Sequence, residues 1–133
     1  MVLQVSTRFP LRLLAVVALG GIIGALGRVA IAEFFGTGST RQLAATLCVN
    51  ILGAVAIGAI FPWLRARTGT PLLQPFLITG VLGGFTTFST FAADVVLTTA
   101  SISVTITYVA VTLVAGILAV PVGTWLFRSV RSI

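Results

Sequence analysis

Four long apolar stretches divide this chain and leave little room for anything else. They run from about Leu13 to Phe35, Leu43 to Leu64, Leu72 to Thr99 and Ile102 to Phe127. A helix needs ~20 apolar residues to cross the hydrocarbon core of a bilayer, so each stretch is long enough to cross once. Only 8% of the residues are charged, whereas a soluble domain carries roughly 25%. The sequence therefore predicts an all-α membrane protein, with four transmembrane helices forming one domain over residues 1–133.

Arginine is distributed unevenly between the two ends of these predicted helices. The net charge is +6, and every basic residue is an arginine. One end carries Arg8, Arg12, Arg65, Arg67, Arg128 and Arg131, and the other carries only Arg41. Cytoplasmic segments of membrane proteins have an excess of arginine and lysine, so both termini are predicted to be cytoplasmic. The arginines do not alternate with exposed aromatic residues, and we expect no nucleic-acid partner.

The first stretch carries a face of glycines and one interior guanidinium. Gly20, Gly24 and Gly27 lie on one helix face, where small residues let a neighbouring helix approach closely. Arg28 follows them, and an arginine inside a span is costly and commonly functional. Its long side chain could instead reach the nearer interface, and the sequence leaves both roles open. Glu33 lies about 140° further around the helix and is badly placed to pair with Arg28.

Polar side chains also follow one face of the second and fourth stretches. Thr46 and Asn50 are one turn apart, and an asparagine buried in lipid must bond to another helix or line water. The fourth stretch has a ladder of hydroxyls at helical spacing, formed by Ser101, Thr105, Tyr108 and Thr112. Such a ladder either packs against a neighbouring helix or supplies donors to an ion that moves along it.

Groups that could carry out catalysis are scarce in this sequence. It has no histidine, and Asp94 is the one carboxylate well inside an apolar stretch. The sequence shows no nucleophile with a base, no cluster of metal ligands and no phosphate-binding loop. We therefore expect no enzymatic activity.

The segment GVLGGFTTFSTFAAD, residues 80–94, places two adjacent glycines and four hydroxyl residues in the third stretch. Gly83 and Gly84 each lower helix propensity by about 1 kcal/mol. Non-helical backbone at membrane depth survives only where protein buries it or a cavity wets it. We therefore expect the third helix to be broken near Gly83–Thr86, with carbonyls released there that suit a hard cation.

Phe88 and Phe91 lie next to each other on one face beyond this predicted break. The edge of an aromatic ring is positive, so rings presented edge-on favour an anion without offering a full charge. Hydroxyl groups of Ser89 and Thr90 could replace the anion's hydration water. The residues alone point to a small, strongly hydrated anion and do not say which one.

The motif GGFTTFSTF, together with GGIIGALGR before TLCVNILGAVAIG, resembles the small bacterial fluoride channels of the Fluc or CrcB family. The resemblance covers essentially the whole chain. It implies an antiparallel dimer of four-helix subunits with two pores. It also implies a structural sodium ion at the dimer centre, held by the backbone carbonyls of Gly83 and Thr86. The family usually has glutamate where this chain has Asp94, which puts the role of that residue in doubt.

The same resemblance assigns the pore residues. Phe88 and Phe91 would be the pore-lining rings, Asn50 would orient the anion, and Arg28 would attract anions to the vestibule. The remaining positions that match the family's polar track are Thr46, Ser89, Thr90, Tyr108 and Thr112.

The activity implied is passive, selective export of fluoride through the bacterial cytoplasmic (inner) membrane, which protects the cytoplasm. The alternative is a proton-coupled small multidrug transporter, which is similar in length and number of spans. Such a protein needs a titratable carboxylate in the middle of its first span, and this chain has only Glu33, at the end.

The second subunit could be the same chain or a paired subunit with the opposite charge bias, and six arginines against one favour the pair.

Overall fold

The computed structural model describes residues 10–67 and 71–131, and within them the chain is helical. Helix α1 is Leu11–Phe35 and α2 is Ser39–Arg65. Helix α3 consists of a π-helical segment, Pro75–Leu82, and the short α-helical segment Gly83–Phe85. Helices α4 and α5 are Phe88–Leu97 and Ile102–Arg131.

The four-span prediction is confirmed, because α1, α2 and α5 are each long and apolar enough to cross a membrane. Helices α3 and α4 together provide the remaining span, Pro75–Leu97. The helices extend beyond the apolar runs, and α2 begins at Ser39 rather than Leu43. The first turn of α2 includes polar residues, and two of them are hydrogen-bonded: Ser39 to the side chain of Thr99 and Gln42 to that of Asp94. Helix α5 continues through Pro121.

Glycines set the distance between α1 and α3. A methyl group at Gly24 would overlap the carbonyl oxygen of Val81, and one at Gly20 would lie 2.5 Å from the carbonyl oxygen of Phe76. A methyl group at Gly27 would instead be in ordinary contact with the Phe85 ring. The predicted close approach along this face is therefore confirmed at Gly20 and Gly24, where backbone packs directly against backbone.

A second glycine contact joins α2 to α5. A methyl group at Gly58 would overlap the carbonyl oxygen of Val120, and one at Gly123 would overlap that of Val55. Further towards the start of both helices, the hydroxyls of Ser39 and Thr99 are 2.8 Å apart. The two helices therefore run in the same direction, with their first residues at one end of the bundle.

This arrangement places the arginines near the ends of the described helices at two opposite ends of the helix bundle. Arg12 begins α1, Arg65 ends α2 and Arg128 lies in the last turn of α5, all at the end opposite to Arg41. Arg8 lies outside the described residues, as does the segment 68–70.

The third span leaves helical geometry at two residues. Thr86 has φ −75° and ψ 155°, and Thr87 has φ −147° and ψ 119°, so both are extended. Gly83 keeps helical torsions, with φ −66° and ψ −35°. The extended residues thus lie at the end of the predicted interval Gly83–Thr86 and one position past it. Gly84 serves packing as well, because a methyl group there would overlap the backbone of Gly21, whereas one at Gly83 would be in ordinary contact with the Ile78 carbonyl oxygen.

We expect Gly24→Ala to lower the free energy of unfolding by about 1–3 kcal/mol, because the added methyl group forces α1 away from α3. Gly21→Ala is the matched control, since a methyl group there meets no atom within 4 Å. Unfolding of both variants in detergent, followed by circular dichroism, checks this. Equal stability of the two variants would show that the α1–α3 contact tolerates expansion.

Candidate functional site

Asn50 of α2 holds the extended residues of the third span with two hydrogen bonds. Its Nδ2 donates to the carbonyl oxygen of Thr87 at 3.0 Å, and its Oδ1 accepts from the amide of Thr87 at 2.8 Å. The side-chain amide of Asn50 thereby bonds to both backbone polar groups of Thr87, in place of the backbone partners that a continuous helix would provide at membrane depth. This satisfies the requirement that non-helical backbone in a bilayer be paired by protein.

Thr87 also begins the next helix. It is the N-cap of α4, and its Oγ1 accepts from the amide of Thr90 at 3.0 Å. The same oxygen lies 2.9 Å from Thr90 Oγ1 and 3.2 Å from Ser89 Oγ. A threonine cap of this kind satisfies a donor that the start of a helix leaves unpaired. Thr87 is buried, and its hydroxyl is the centre of a small cluster of hydroxyl groups.

The carbonyls of Gly83 and Thr86 lose their usual helical partners because of these two side chains. In a continuous helix, Gly83 would accept from the amide of Thr87, four residues on. Thr86 would likewise accept from the amide of Thr90. These amides bond instead to Asn50 Oδ1 and Thr87 Oγ1. Within the described residues, no hydrogen bond outside the regular helices ends on either carbonyl.

Thr86 is fixed by contacts on both sides. Its amide and its Oγ1 both donate to the carbonyl oxygen of Leu82, at 3.0 and 2.9 Å. Its methyl group faces Gly53, where an added Cβ would overlap it. The glycine that shares a face with Thr46 and Asn50 therefore leaves room for the extended segment.

Three aromatic rings line up beyond the extended segment. The ring centroids of Phe88 and Phe91 are 5.8 Å apart with the planes tilted by 45°. Those of Phe91 and Tyr108 are 5.4 Å apart with a tilt of 41°. Phe91 is buried, whereas 78% of the Phe88 side chain is exposed in the single chain. The rings are thus inclined to each other rather than stacked flat, and one side of the row is open.

Two cavities share Thr87 as a lining residue. The first has a volume of about 260 Å³, and Asn50, Phe88, Phe91 and Thr112 also line it. The hydroxyl oxygen of Thr112 is buried and has no hydrogen-bond partner among the described residues. Water or an ion in this cavity would satisfy it.

The second cavity, of about 500 Å³, is wider and carries charge. Its walls include Arg28 and Glu33 of α1, Thr46 of α2, and Thr87 and Thr90. Arg28 forms no ion pair with a carboxylate in the part of the chain that the structure describes, which agrees with the predicted poor placement of Glu33. The guanidinium charge therefore remains available to an anion in this cavity.

Asp94 is buried behind this site and accepts two hydrogen bonds. Gln42 Nε2 donates to its Oδ1 at 2.8 Å, and the Tyr108 hydroxyl donates to its Oδ2 at 3.2 Å. Only 3% of the residue is exposed. The carboxylate thus ties α2 and α5 to α4 and fixes the orientation of Tyr108.

The structure brings most of the predicted site residues into two groups. Asn50, Phe88, Phe91 and Thr112 share the smaller cavity, and Arg28, Thr46 and Thr90 share the larger one. Of the remaining residues, Tyr108 contacts the ring of Phe91.

Other members of the predicted set lie outside these groups. Ser89 is exposed and bonds to Thr87, and Gly83 is also exposed. In the hydroxyl ladder of α5, Thr105 donates to the Ser101 carbonyl within its own helix.

Sequence reasoning missed two residues that organise the site, Thr87 and Gln42. A signal for Thr87 was present, because threonine is a preferred N-cap residue and Thr87 directly follows the predicted break. Gln42 had no comparable signal, because it lies before the apolar part of α2 and its partner Asp94 is 52 positions away.

Comparison with known proteins gives a consistent result. The model of the family described as CrcB-like protein, Camphor Resistance (CrcB) matches residues 15–124. The chain is 50% identical over 86 residues to a protein of Ruegeria sp. (strain TM1040) named fluoride-specific ion channel FluC, covering 60% of this chain and 64% of that protein. A protein of the same name from Paracoccus denitrificans (strain Pd 1222) is 46% identical, over 59% of this chain and 62% of its own length.

The chain thus spans less than two thirds of the length of these two relatives. A longer match is to fluoride-specific ion channel FluC 1 of Streptomyces coelicolor (strain ATCC BAA-471 / A3(2) / M145). That protein is 38% identical over 87% of this chain and 77% of its own length.

We expect Asp94→Ala to lower the free energy of unfolding by about 1–3 kcal/mol, because it leaves the buried Tyr108 hydroxyl and the Gln42 amide without their acceptor. Asp94→Asn is the matched control and should lose less, since its carbonyl oxygen still accepts one bond. Chemical unfolding in detergent compares the two. An Asp94→Ala variant as stable as the native chain would show that water replaces the carboxylate without cost.

Proposed function

The chain belongs to the CrcB-like family, whose model covers residues 15–124, and we propose that it is a fluoride-selective channel of the bacterial cytoplasmic membrane. The close relatives named as fluoride-specific ion channels support this. Fluoride that enters a cell as neutral HF ionises inside, so a passive pathway is sufficient to drain it. The channel would thereby protect the cytoplasm without a coupled energy source.

The observation that carries the proposal is that Thr87 lines both cavities. The larger cavity contains the guanidinium of Arg28, which has no ion-pair partner among the described residues, and the residues that line the smaller one are neutral. An anion attracted by Arg28 would pass the hydroxyls of Thr87 and Thr90 and reach the tilted rings of Phe88 and Phe91. A positive charge at the entrance raises the local concentration of anions, while neutral donors deeper inside bind them weakly enough to let them leave.

The smaller cavity suits a small, strongly hydrated anion. The hydroxyl of Thr112 has no partner among the described residues and could replace one water of the hydration shell. The positive edges of Phe88 and Phe91 could replace others, since the rings are inclined by 45° rather than stacked. In this path Asn50 would present the second hydrogen of its Nδ2, because its first is bonded to Thr87. Tyr108, Thr46 and Ser89 would complete the track of donors.

A second four-helix subunit would complete the pores. Phe88 is 78% exposed, and the cavity that it lines is open on one side, so the ring row of one chain is only half enclosed. An antiparallel partner that covers this side would surround the anion with protein. The exposed position of Gly83 fits the same arrangement, because a central cation shared by two chains requires its ligands to be at the surface of each.

Sodium is the cation that we assign to that centre. Gly83 and Thr86 would hold it through their carbonyl oxygens, which are hard ligands of the kind that alkali cations prefer in broken membrane helices. Their fit rests on the missing helical hydrogen bonds described above. When bound, the ion would supply a fixed positive charge between the two subunits. This charge would offset the negative ends of the carbonyl dipoles that point towards it.

Fluoride efflux from liposomes that contain the purified chain together with its second subunit tests the channel directly. We expect rapid fluoride efflux and little chloride efflux, and a fall of roughly tenfold or more in Phe88→Ile and Phe91→Ile. Isoleucine keeps the bulk but removes the positive ring edge, and a tenfold loss corresponds to about 1.4 kcal/mol. Phe61→Ile, at an exposed ring outside both cavities, is the matched control. Absence of fluoride efflux from the native chain reconstituted with its second subunit, or drug uptake driven by a proton gradient, would contradict the proposal.

The distribution of arginine predicts which partner the chain uses. A chain that inserts in both orientations should have balanced charge at its two ends, whereas this one has six arginines at one end and one at the other. We therefore expect a reporter fused to the C-terminus to give its signal almost entirely from the cytoplasmic side when the chain is expressed alone. A partner with the opposite bias would then complete the pores. Equal signals from both sides, with functional channels made by the single chain, would contradict the paired arrangement.

A further inference from the structure

We infer that Asn50 and Thr87 are positioning residues for the proposed cation site, in addition to any part they have in the anion path. Together they keep the carbonyls of Gly83 and Thr86 free of helical hydrogen bonds, so that these carbonyls remain available to a cation. The inference rests on the proposed sodium site and assigns to two side chains the task of keeping that site open.

The first step concerns Asn50 and the carbonyl of Gly83. The amide of Thr87 is the group that would close a helical bond onto Gly83, and Asn50 Oδ1 accepts that amide at 2.8 Å. Asn50 Nδ2 also donates to the carbonyl of Thr87 at 3.0 Å. Both polar ends of one side chain thus engage one residue, which fixes Thr87 in its extended conformation.

The second step concerns Thr87 and the carbonyl of Thr86. The amide of Thr90 would close a helical bond onto Thr86, but the Thr87 hydroxyl accepts it at 3.0 Å. The extended torsions of Thr87 are those of an N-cap residue, so the same side chain that starts α4 also excludes Thr86 from it. Each predicted sodium ligand is therefore released by a different side chain.

The lipid environment determines which acceptor these amides would take if the two side chains were lost. An unpaired amide at membrane depth has no water to bond and will take the nearest carbonyl. If Asn50 lost its polar group, the Thr87 amide would have Gly83 as its natural acceptor, and the helix would tend to close over the site. The two side chains thus compete with the helix for the same amides.

Asn50 also lines the cavity that contains Phe88, Phe91 and Thr112. One residue therefore contacts the proposed anion cavity and also maintains the proposed cation site. Loss of fluoride flux in an Asn50 variant would consequently not identify which of the two ions it serves. A readout of cation binding that is separate from flux is needed.

The test is the sodium dependence of thermal unfolding in the assembled protein, purified with its second subunit throughout in N-methylglucamine chloride. We expect sodium to raise the unfolding temperature of the native protein more than potassium does. Asn50→Leu, of similar size, should raise the sodium concentration at half-effect by tenfold or more, as loss of a group that orients metal ligands commonly does. Thr87→Val should act in the same direction, while Thr87→Ser, which keeps the hydroxyl, should restore the native midpoint.

Thr46→Val is the matched control, because Thr46 lies one turn from Asn50 on the same helix face, and no hydrogen bond joins it to Gly83 or Thr86 within the described residues. Its sodium midpoint should stay within twofold of the native value even where its fluoride efflux falls. If Asn50→Leu does not fold, the pair of Thr87 variants decides the question.

Native sodium midpoints in both Asn50→Leu and Thr87→Val would overturn this inference and leave the sodium site standing. A native protein that does not respond to sodium would overturn both the site and the inference. In that case the fluoride proposal would still be decided by the efflux measurement.

Discussion

The pair of hydrogen bonds between Asn50 and Thr87 is the interaction on which the rest of the site depends. A helix interrupted inside a bilayer leaves amides and carbonyls unpaired, and hydrocarbon offers them no substitute. Here one carboxamide bonds to both polar groups of Thr87, and the Thr87 hydroxyl takes the next amide along the chain. The interruption at Thr86 and Thr87 is therefore a paired structure, and it places the rings of α4 beside α2 at a fixed angle.

Such short polar contacts are possible only because the helices approach closely and keep their register. Backbone contacts at Gly20 and Gly24 fix α3 against α1, and those at Gly58 and Gly123 fix α5 against α2. Gly53 makes the same kind of room for the methyl group of Thr86. In lipid, where helices gain no hydrophobic free energy by meeting, this close packing is a main source of association. Gly53 thus allows the close separation at which Asn50 reaches Thr87, and the other glycines hold the neighbouring helices in place.

The sequence was sufficient for the features that depend on local pattern. Lengths of apolar runs predicted four spans, and glycine spacing predicted the contact face of α1, because both follow from helix geometry alone. The position of the extended residues did not follow from the same reasoning. Low helix propensity pointed to Gly83 and Gly84, yet Gly83 remains helical and the extended residues are Thr86 and Thr87. Their conformation is decided by an acceptor and a donor on Asn50, 37 residues away, and no local propensity contains that information.

A buried carboxylate beside the proposed anion pathway would ordinarily oppose conduction, and the contacts of Asp94 indicate how the chain would limit this repulsion. Its two oxygens each accept a hydrogen bond, one from Gln42 and one from Tyr108, so donor hydrogens surround the negative charge. Tyr108 lies between the carboxylate and the ring of Phe91, whose centroid is 5.4 Å from that of the tyrosine. With its hydroxyl hydrogen committed to Asp94, Tyr108 can offer an anion only the edge of its ring. The carboxylate therefore sets the orientation of one member of the aromatic row, and the weakness of ring-edge contacts would keep an anion in the proposed pathway from being trapped.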